Sequence, residues 1–191
     1  MKKHILFFVI IILLVISNSS KAQSLVVKNE SKSSLSLELT IDNYNIKEII
    51  DGDEVFHEIA LSSIMIPNDK GKPNLPSVNR FIALPQGAKA NVVVESYEKE
   101  ILNNINIAPS KGVVSEYELT DEHFSKDRNI YSKDELYPNN IVSLTEQMNL
   151  RGVDAVGLSI VPVQFNPVSK ELIIHKKINI RIEFEGGNGM F

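Results

Sequence analysis

Side chains able to do chemistry are few in this chain. Four histidines occur, at positions 4, 57, 123 and 175, and there is no cysteine. His57 alternates with Val55, Ile59 and Leu61, which places it in a strand as a packed or rim imidazole. His175 falls among the polar residues that alternate with Ile174 and Ile178, so it is expected to face solvent. His123 lies in a polar stretch where it could titrate near neutral pH. No serine, cysteine or metal-ligand spacing accompanies it, so it lacks the partners of a catalytic base. Asp51, Asp53 and Glu54, in Asp51-Gly52-Asp53-Glu54, could offer carboxylate oxygens to a calcium ion. The ordered run of ligand positions of a strong calcium loop is missing, and Asp-Gly is itself a hairpin turn signal. The adjacent pairs Asp121-Glu122 and Asp134-Glu135 stand in polar surroundings with nothing to split their pKa values. No glycine-rich phosphate loop and no cofactor motif is present, so the chain alone does not read as an enzyme.

Period-two alternation dominates the elements that must carry these residues. Leu35, Leu37, Leu39 and Ile41 share one face. Leu172, Ile174, Ile178, Ile180, Ile182 and Phe184 alternate with His175, Lys177, Asn179, Arg181 and Glu183. Both patterns predict half-buried strands of an antiparallel sheet. Further strands are expected near 44–50, 54–61, 78–84, 88–101, 105–108, 140–148, 153–162 and 163–166, with Asn166-Pro167-Val168-Ser169-Lys170 as a hairpin turn. A weak helical spacing at 142–150 is the one exception. Many short strands with turn signals between them indicate an all-β, antiparallel sandwich of jelly-roll-like kind. The prolines of Gly71–Ala88 mark an extended arm that enters the sheet near Val78 and leaves it at Pro85. Lys111 to Asn140 is long, polar and non-periodic, which makes it the place to look for function.

The N-terminus has the form of a secretory signal peptide. Lys2 and Lys3 precede the apolar run Ile5–Ile16, and Ser20-Lys21-Ala22 supplies small residues before a cleavage between Ala22 and Gln23. The apolar run is shorter than the roughly 20 residues a membrane-spanning helix needs. Cleavage removes three of the 20 Lys and Arg residues and none of the 24 Asp and Glu, so the mature charge is 17 − 24 = −7. Such an acidic surface gives no electrostatic reason to bind nucleic acid or, after signal removal, a membrane. The expected organisation is 1–22 signal peptide, 23–34 N-terminal segment, 35–185 β-sandwich and 186–191 a glycine-rich linker toward a further domain.

Five stretches in order carry a family resemblance. They are Gly71-x-Pro73-x-Leu75-Pro76, then Ala83-Leu84-Pro85-Gln86-Gly87-Ala88, "INIAPSKGVVS" at 105–115, "YPNN" at 137–140, and Arg151-Gly152 with "IVPVQFNPVSKEL" at 160–172. Together they resemble the propeptide of the gingipain-type cysteine proteases, peptidase family C25, over roughly residues 35–185. The resemblance implies an exported β-sandwich prodomain of a zymogen. Such a domain assists folding of its cognate C25-type protease domain and keeps it latent until proteolysis releases it. The family belongs largely to Bacteroidetes-type bacteria, whose proteases of this kind often leave through a dedicated outer-membrane secretion system. The alternative is a free-standing secreted β-sandwich binding module derived from such a prodomain.

The resemblance also implies how inhibition would work. In the family a basic side chain follows the alanine-proline-serine-lysine-glycine-valine stretch and fills an acidic specificity pocket, where a desolvated charge pair discriminates strongly. Here that stretch is Ala108–Val113, and by register the plug position is Glu116, after Ser115. Glutamate has the wrong sign for an acidic pocket. The cognate pocket therefore differs, another residue plugs it, or this copy does not inhibit. Lys111, Lys126 and Arg128 are the nearby basic candidates. Family propeptides are cut after basic residues near the domain junction, but no lysine or arginine follows Arg181. The activation site thus lies past residue 191, uses another specificity, or is absent.

Overall fold

The computed structural model describes residues 24–61, 69–112 and 123–190. Its strands are β1 (Ser24–Glu30), β2 (Ser34–Thr40), β3 (Tyr44–Asp51), β4 (Glu54–Leu61), β5 (Val78–Ala83), β6 (Ala88–Leu102), β7 (Val142–Leu144), β8 (Met148–Leu150), β9 (Val153–Ile160), β10 (Val163–Asn166) and β11 (Glu171–Gly186). One short helix, α1 (Arg128–Tyr131), interrupts them. A five-stranded sheet runs β1-β2-β11-β10 with β6 along the other edge of β11, a four-stranded sheet runs β5-β9-β7 with β8 on β9, and β3–β4 is a hairpin. Every strand pair is antiparallel. The fold is the expected antiparallel sandwich.

Two separate cores form. In the first, Leu37, Leu39, Ile178, Ile180 and Ile182 of the large sheet meet Val156, Leu158 and Ile160 of the small one. In the second, Leu172, Ile174, Val163 and Phe165 pack against Ile59, Leu75 and Ile107. Residues paired directly across antiparallel strands share a face, and the pairings of β11 with β6 put these cores on opposite faces of one sheet. Ile178 opposes Tyr97 and His175 opposes Lys99, whereas Ile174 opposes Glu100. The register slips between His175 and Lys177, so Lys176 is an extra residue and the strand's faces exchange there.

That bulge overturns the expectation for His175, which is buried at 3% exposure. It lies on the face of the first core, with Tyr97 edge-on at 4.8 Å. Gln164 Nε2 donates to the Pro138 carbonyl at 2.7 Å, so Gln164 Oε1 accepts from His175 Nε2–H at 2.9 Å. Burial, with a contribution from Lys99, pushes the imidazole pKa down to about 4.

Other expectations also change. The segment 23–34 contains a sheet strand, since β1 pairs with β2 from Ser24. The strand expected near 140–148 is present but split into β7 and β8, both paired with β9, and the weak helical spacing at 142–150 is not realised. The stretch 105–108 makes isolated bridges in place of a strand, because Pro109 opposite Pro73 removes ladder donors. The terminal glycines do not form a free exit either. Gln86 N–H donates to the Met190 carbonyl at 2.7 Å and Asn188 Nδ2 to Gln86 Oε1 at 2.8 Å. Gly187, at φ +80°, lets the chain pass so close to Ala88 that a Cβ would meet its backbone nitrogen at 3.0 Å.

Candidate functional site

On both sides of 113–122, the described residues of the long polar region and its approach are anchored on the β3–β4 hairpin. On its upstream side Asn106 Nδ2 donates to Glu54 Oε1 and to the Val55 carbonyl, both at 3.0 Å. The Asn106 backbone N–H donates to His57 Nδ1 at 3.1 Å, so His57 is the rim imidazole its strand pattern suggests. Ala108 N–H then donates to the His57 carbonyl at 2.9 Å, and Gly71 N–H to the Ser110 carbonyl at 2.8 Å. The arm 71–76 thus closes over residues 106–112, explaining why its backbone is held extended by prolines. Gly71, at φ +87°, is required there, because a Cβ would sit 3.2 Å from Asp127 N and Ser125 O.

The downstream side is held by side chains. Asp51 Oδ1 accepts from His123 Nδ1 at 2.5 Å, and Asp51 Oδ2 from the Phe124 amide at 2.6 Å. These two donors, the Phe124 amide foremost, hold the Asp51 carboxyl below the usual carboxylate range. Glu54 pairs with Lys126. Partial burial works to raise the Glu54 pKa, but the bonds from Lys126 and Asn106 leave it lowered on balance. Phe124 meets Phe56 edge-on at 5.2 Å. Lys126 Nζ lies 4.9 Å from the Phe56 ring centroid, and Lys111 Nζ 5.0 Å from that of Phe124. Asp127 caps α1 by accepting from Asn129 N at 2.9 Å, and its own amide donates to the Gly71 carbonyl. Tyr131 O–H donates to the Ile107 carbonyl at 3.0 Å, and burial drives its pKa upward. A groove of about 650 Å³ opens over this stem, between Asp51, His123, Lys126 and Arg128.

The sequence-predicted residues are therefore distributed unevenly. Lys126 is committed to Glu54, Lys111 lies over Phe124, and Arg128 is the exposed first residue of α1. Ser115 and Glu116, and the cleavage pair Ala22 and Gln23, lie outside the described residues. Asp51 and Glu54 spend their oxygens on the stem, and Asp53 is exposed at the turn. Among the described residues no three acidic or histidine side chains converge as a metal site would require. His123 gains a carboxylate partner the sequence did not reveal, but its side chain is 81% exposed, so the pair lacks the dry surroundings of a catalytic dyad. The anchoring role of Asp51 and Glu54 was missed because their partners are 72 and 73 residues away. The one available signal was an acidic turn in a chain whose long polar stretch carries His123 and Lys126.

Comparison with known proteins agrees with this architecture. The C25 propeptide family model (Propeptide_C25) matches residues 19–188. Gingipain R2 of Porphyromonas gingivalis is 32% identical over 115 residues, which cover 60% of this chain and 16% of that protein. Lys-gingipain HG66 of the same species is 24% identical over 139 residues, 70% of this chain and 8% of that one. The chain therefore spans a small part of the length of the curated relatives it matches. A solved complex of the pro- and mature domains of P. gingivalis RgpB superposes with a TM-score of 0.78 at 25% identity, covering 85% of each chain. A structure addressing the zymogenic latency of P. gingivalis gingipain K shares the fold, with a TM-score of 0.71 at 19% identity, covering 87% of this chain and 95% of that one. With nearly its whole length matched by the family model, the chain belongs to the C25 propeptide family.

Proposed function

We propose that this domain is the propeptide of an exported C25-type cysteine protease, assisting its folding and holding it latent. The observation that carries the reading is the stem. Residues 106–108 and 123–126 are fastened to one hairpin, and Ser110 and Asp127 to the arm at Gly71–Lys72, so Gly112 and His123, the residues bounding 113–122, stand next to fixed points. Fixing both ends lowers the ordering cost of laying that segment in a protease cleft. The chain has no cysteine and so cannot supply the nucleophile itself. On this reading residues 1–22 are a signal peptide cut before Gln23, the domain acts outside the cytoplasm, and 186–191 leads toward the protease.

The plug stays with the segment 113–122, and Glu116 holds the register position. Lys126 is already neutralised by Glu54, so freeing it would cost the stem an ion pair. A glutamate plug fits a pocket lined by cations or N–H donors, not an acidic one. The test is to add purified 23–191 to mature Gingipain R2 and mature Lys-gingipain. Wild-type domain is expected to inhibit them weakly, and Glu116→Arg to gain on the order of a hundredfold in potency, the scale of a buried charge-assisted pair. Absence of inhibition of both gingipains by Glu116→Arg at micromolar concentration removes position 116 as the plug, and absence of inhibition of its own C25-type protease by the wild-type domain rules out the inhibitory reading.

A further inference from the structure

The two ends of the stem are held by different chemistry. Upstream, backbone bonds such as Gly71 to Ser110 and Ser110 to Lys72, which are indifferent to most substitutions, share the work with the Asn106 side chain on Glu54 and Val55. Downstream, the fastening comes from two acidic side chains at a hairpin tip. Two of the three carboxylates on the tip meet a basic side chain on the stem, Asp51 with His123 and Glu54 with Lys126. The tip has little other employment. Ile50 is 77% exposed and Val55 45% exposed, so the hairpin has run past the second core before it reaches the turn. Asp51 is nonetheless enclosed, with a side chain only 14% exposed and both oxygens accepting from the stem.

We propose that Asp51 and Glu54 are positioning residues for inhibition, fixing the place of His123–Lys126, the residues that follow 113–122. This rests on the inhibitory reading above and names the residues on which its geometry depends. Without the grip the downstream end is free to sample many positions, and binding in a cleft must restrict it again.

The test is Asp51→Ala in the 23–191 domain, read by amide hydrogen exchange and by the inhibition constant against mature Gingipain R2. Phe124 should exchange on the order of tenfold faster or more, the scale of a lost hydrogen bond to a charged group. The amides of Ile178–Ile182 should keep their rates, and the inhibition constant should rise on a similar order, about tenfold. Asp51→Asn retains an oxygen for the Phe124 amide and should recover part of both effects. Glu54→Lys and Lys126→Glu should each weaken inhibition, and the double swap should restore part of it, a rescue that general destabilisation would not produce. Unchanged Phe124 exchange in Asp51→Ala overturns the grip, and a loosened stem with undiminished inhibition overturns the positioning role. The two readings separate cleanly. Inhibition that survives deletion of 113–122 sinks the inhibitory loop and this role with it, whereas inhibition lost on that deletion but intact in Asp51→Ala sinks the positioning role alone.

Discussion

The sandwich and the stem are stabilised by different forces. Between the two sheets, Leu39, Ile160, Ile178, Ile180 and Ile182 are each at 0% exposure, and apolar burial does the work. At the stem, hydrogen bonds to Asp51, the Glu54–Lys126 pair and cations over Phe56 and Phe124 close the structure. Apolar burial barely responds to salt or mild acid, whereas charge-based contacts respond to both. A rigid body thus carries a region whose tightness depends on solution conditions.

The sharpest way to break the comparison is to delete Lys176. Without that residue the sheet's faces cannot exchange, so Ile178–Phe184 and Leu172–Ile174 would compete for one side. The loss should exceed a typical domain stability of about 5–15 kcal/mol, and near-UV circular dichroism should show no native packing. Phe165→Ala comes next. It empties a fully buried site in the second core and should cost about 3–5 kcal/mol in chemical denaturation, taking its edge contact with Tyr131.

His175, buried in the sandwich beside Tyr97 and Gln164, gives a pH test. Its native pKa is lowered to about 4 from 6.5, so in that window the unfolded chain binds a proton that the native domain excludes. Stability must therefore fall as pH drops through 6.5, by about 2 kcal/mol between pH 7.5 and 5. In His175→Gln that part of the slope should vanish; an unchanged slope would mean the imidazole is not held neutral. The smallest effect concerns salt. Raising ionic strength from about 0.1 to 1 M shortens the Debye length from roughly 10 to 3 Å. Exchange of the Phe124–Lys126 amides should accelerate severalfold while β11 amides stay unchanged. Equal acceleration in both would erase the distinction.

Much of the sandwich was legible because alternation reports local burial directly. β2, β4, β10 and β11 carry that signal in Leu35–Ile41, Phe56–Leu61, Val163–Phe165 and Leu172–Phe184. β1 escaped notice because it is an edge strand, with Val26 and Val27 exposed and no buried face to set a rhythm. The strand expected near 140–148 proved to be two, β7 and β8, of three residues each, too short for the break between them to show in the alternation. The stem's prolines and Gly71 were visible as punctuation, but not what they close upon.

By itself the sequence determined an all-β class, most strand positions, an acidic net charge and membership motifs, all of which follow from neighbouring residues and composition. Tertiary structure alone decided that β11 buries opposite faces on either side of Lys176 and that His175 is inside. It also decided that Asp51 and Glu54 hold a stem 72 residues away. The physical reason is the same in each case. A strand's pattern records that one face is buried, but which side of the sheet that face looks toward, and which distant donor meets a turn carboxylate, depends on pairing register.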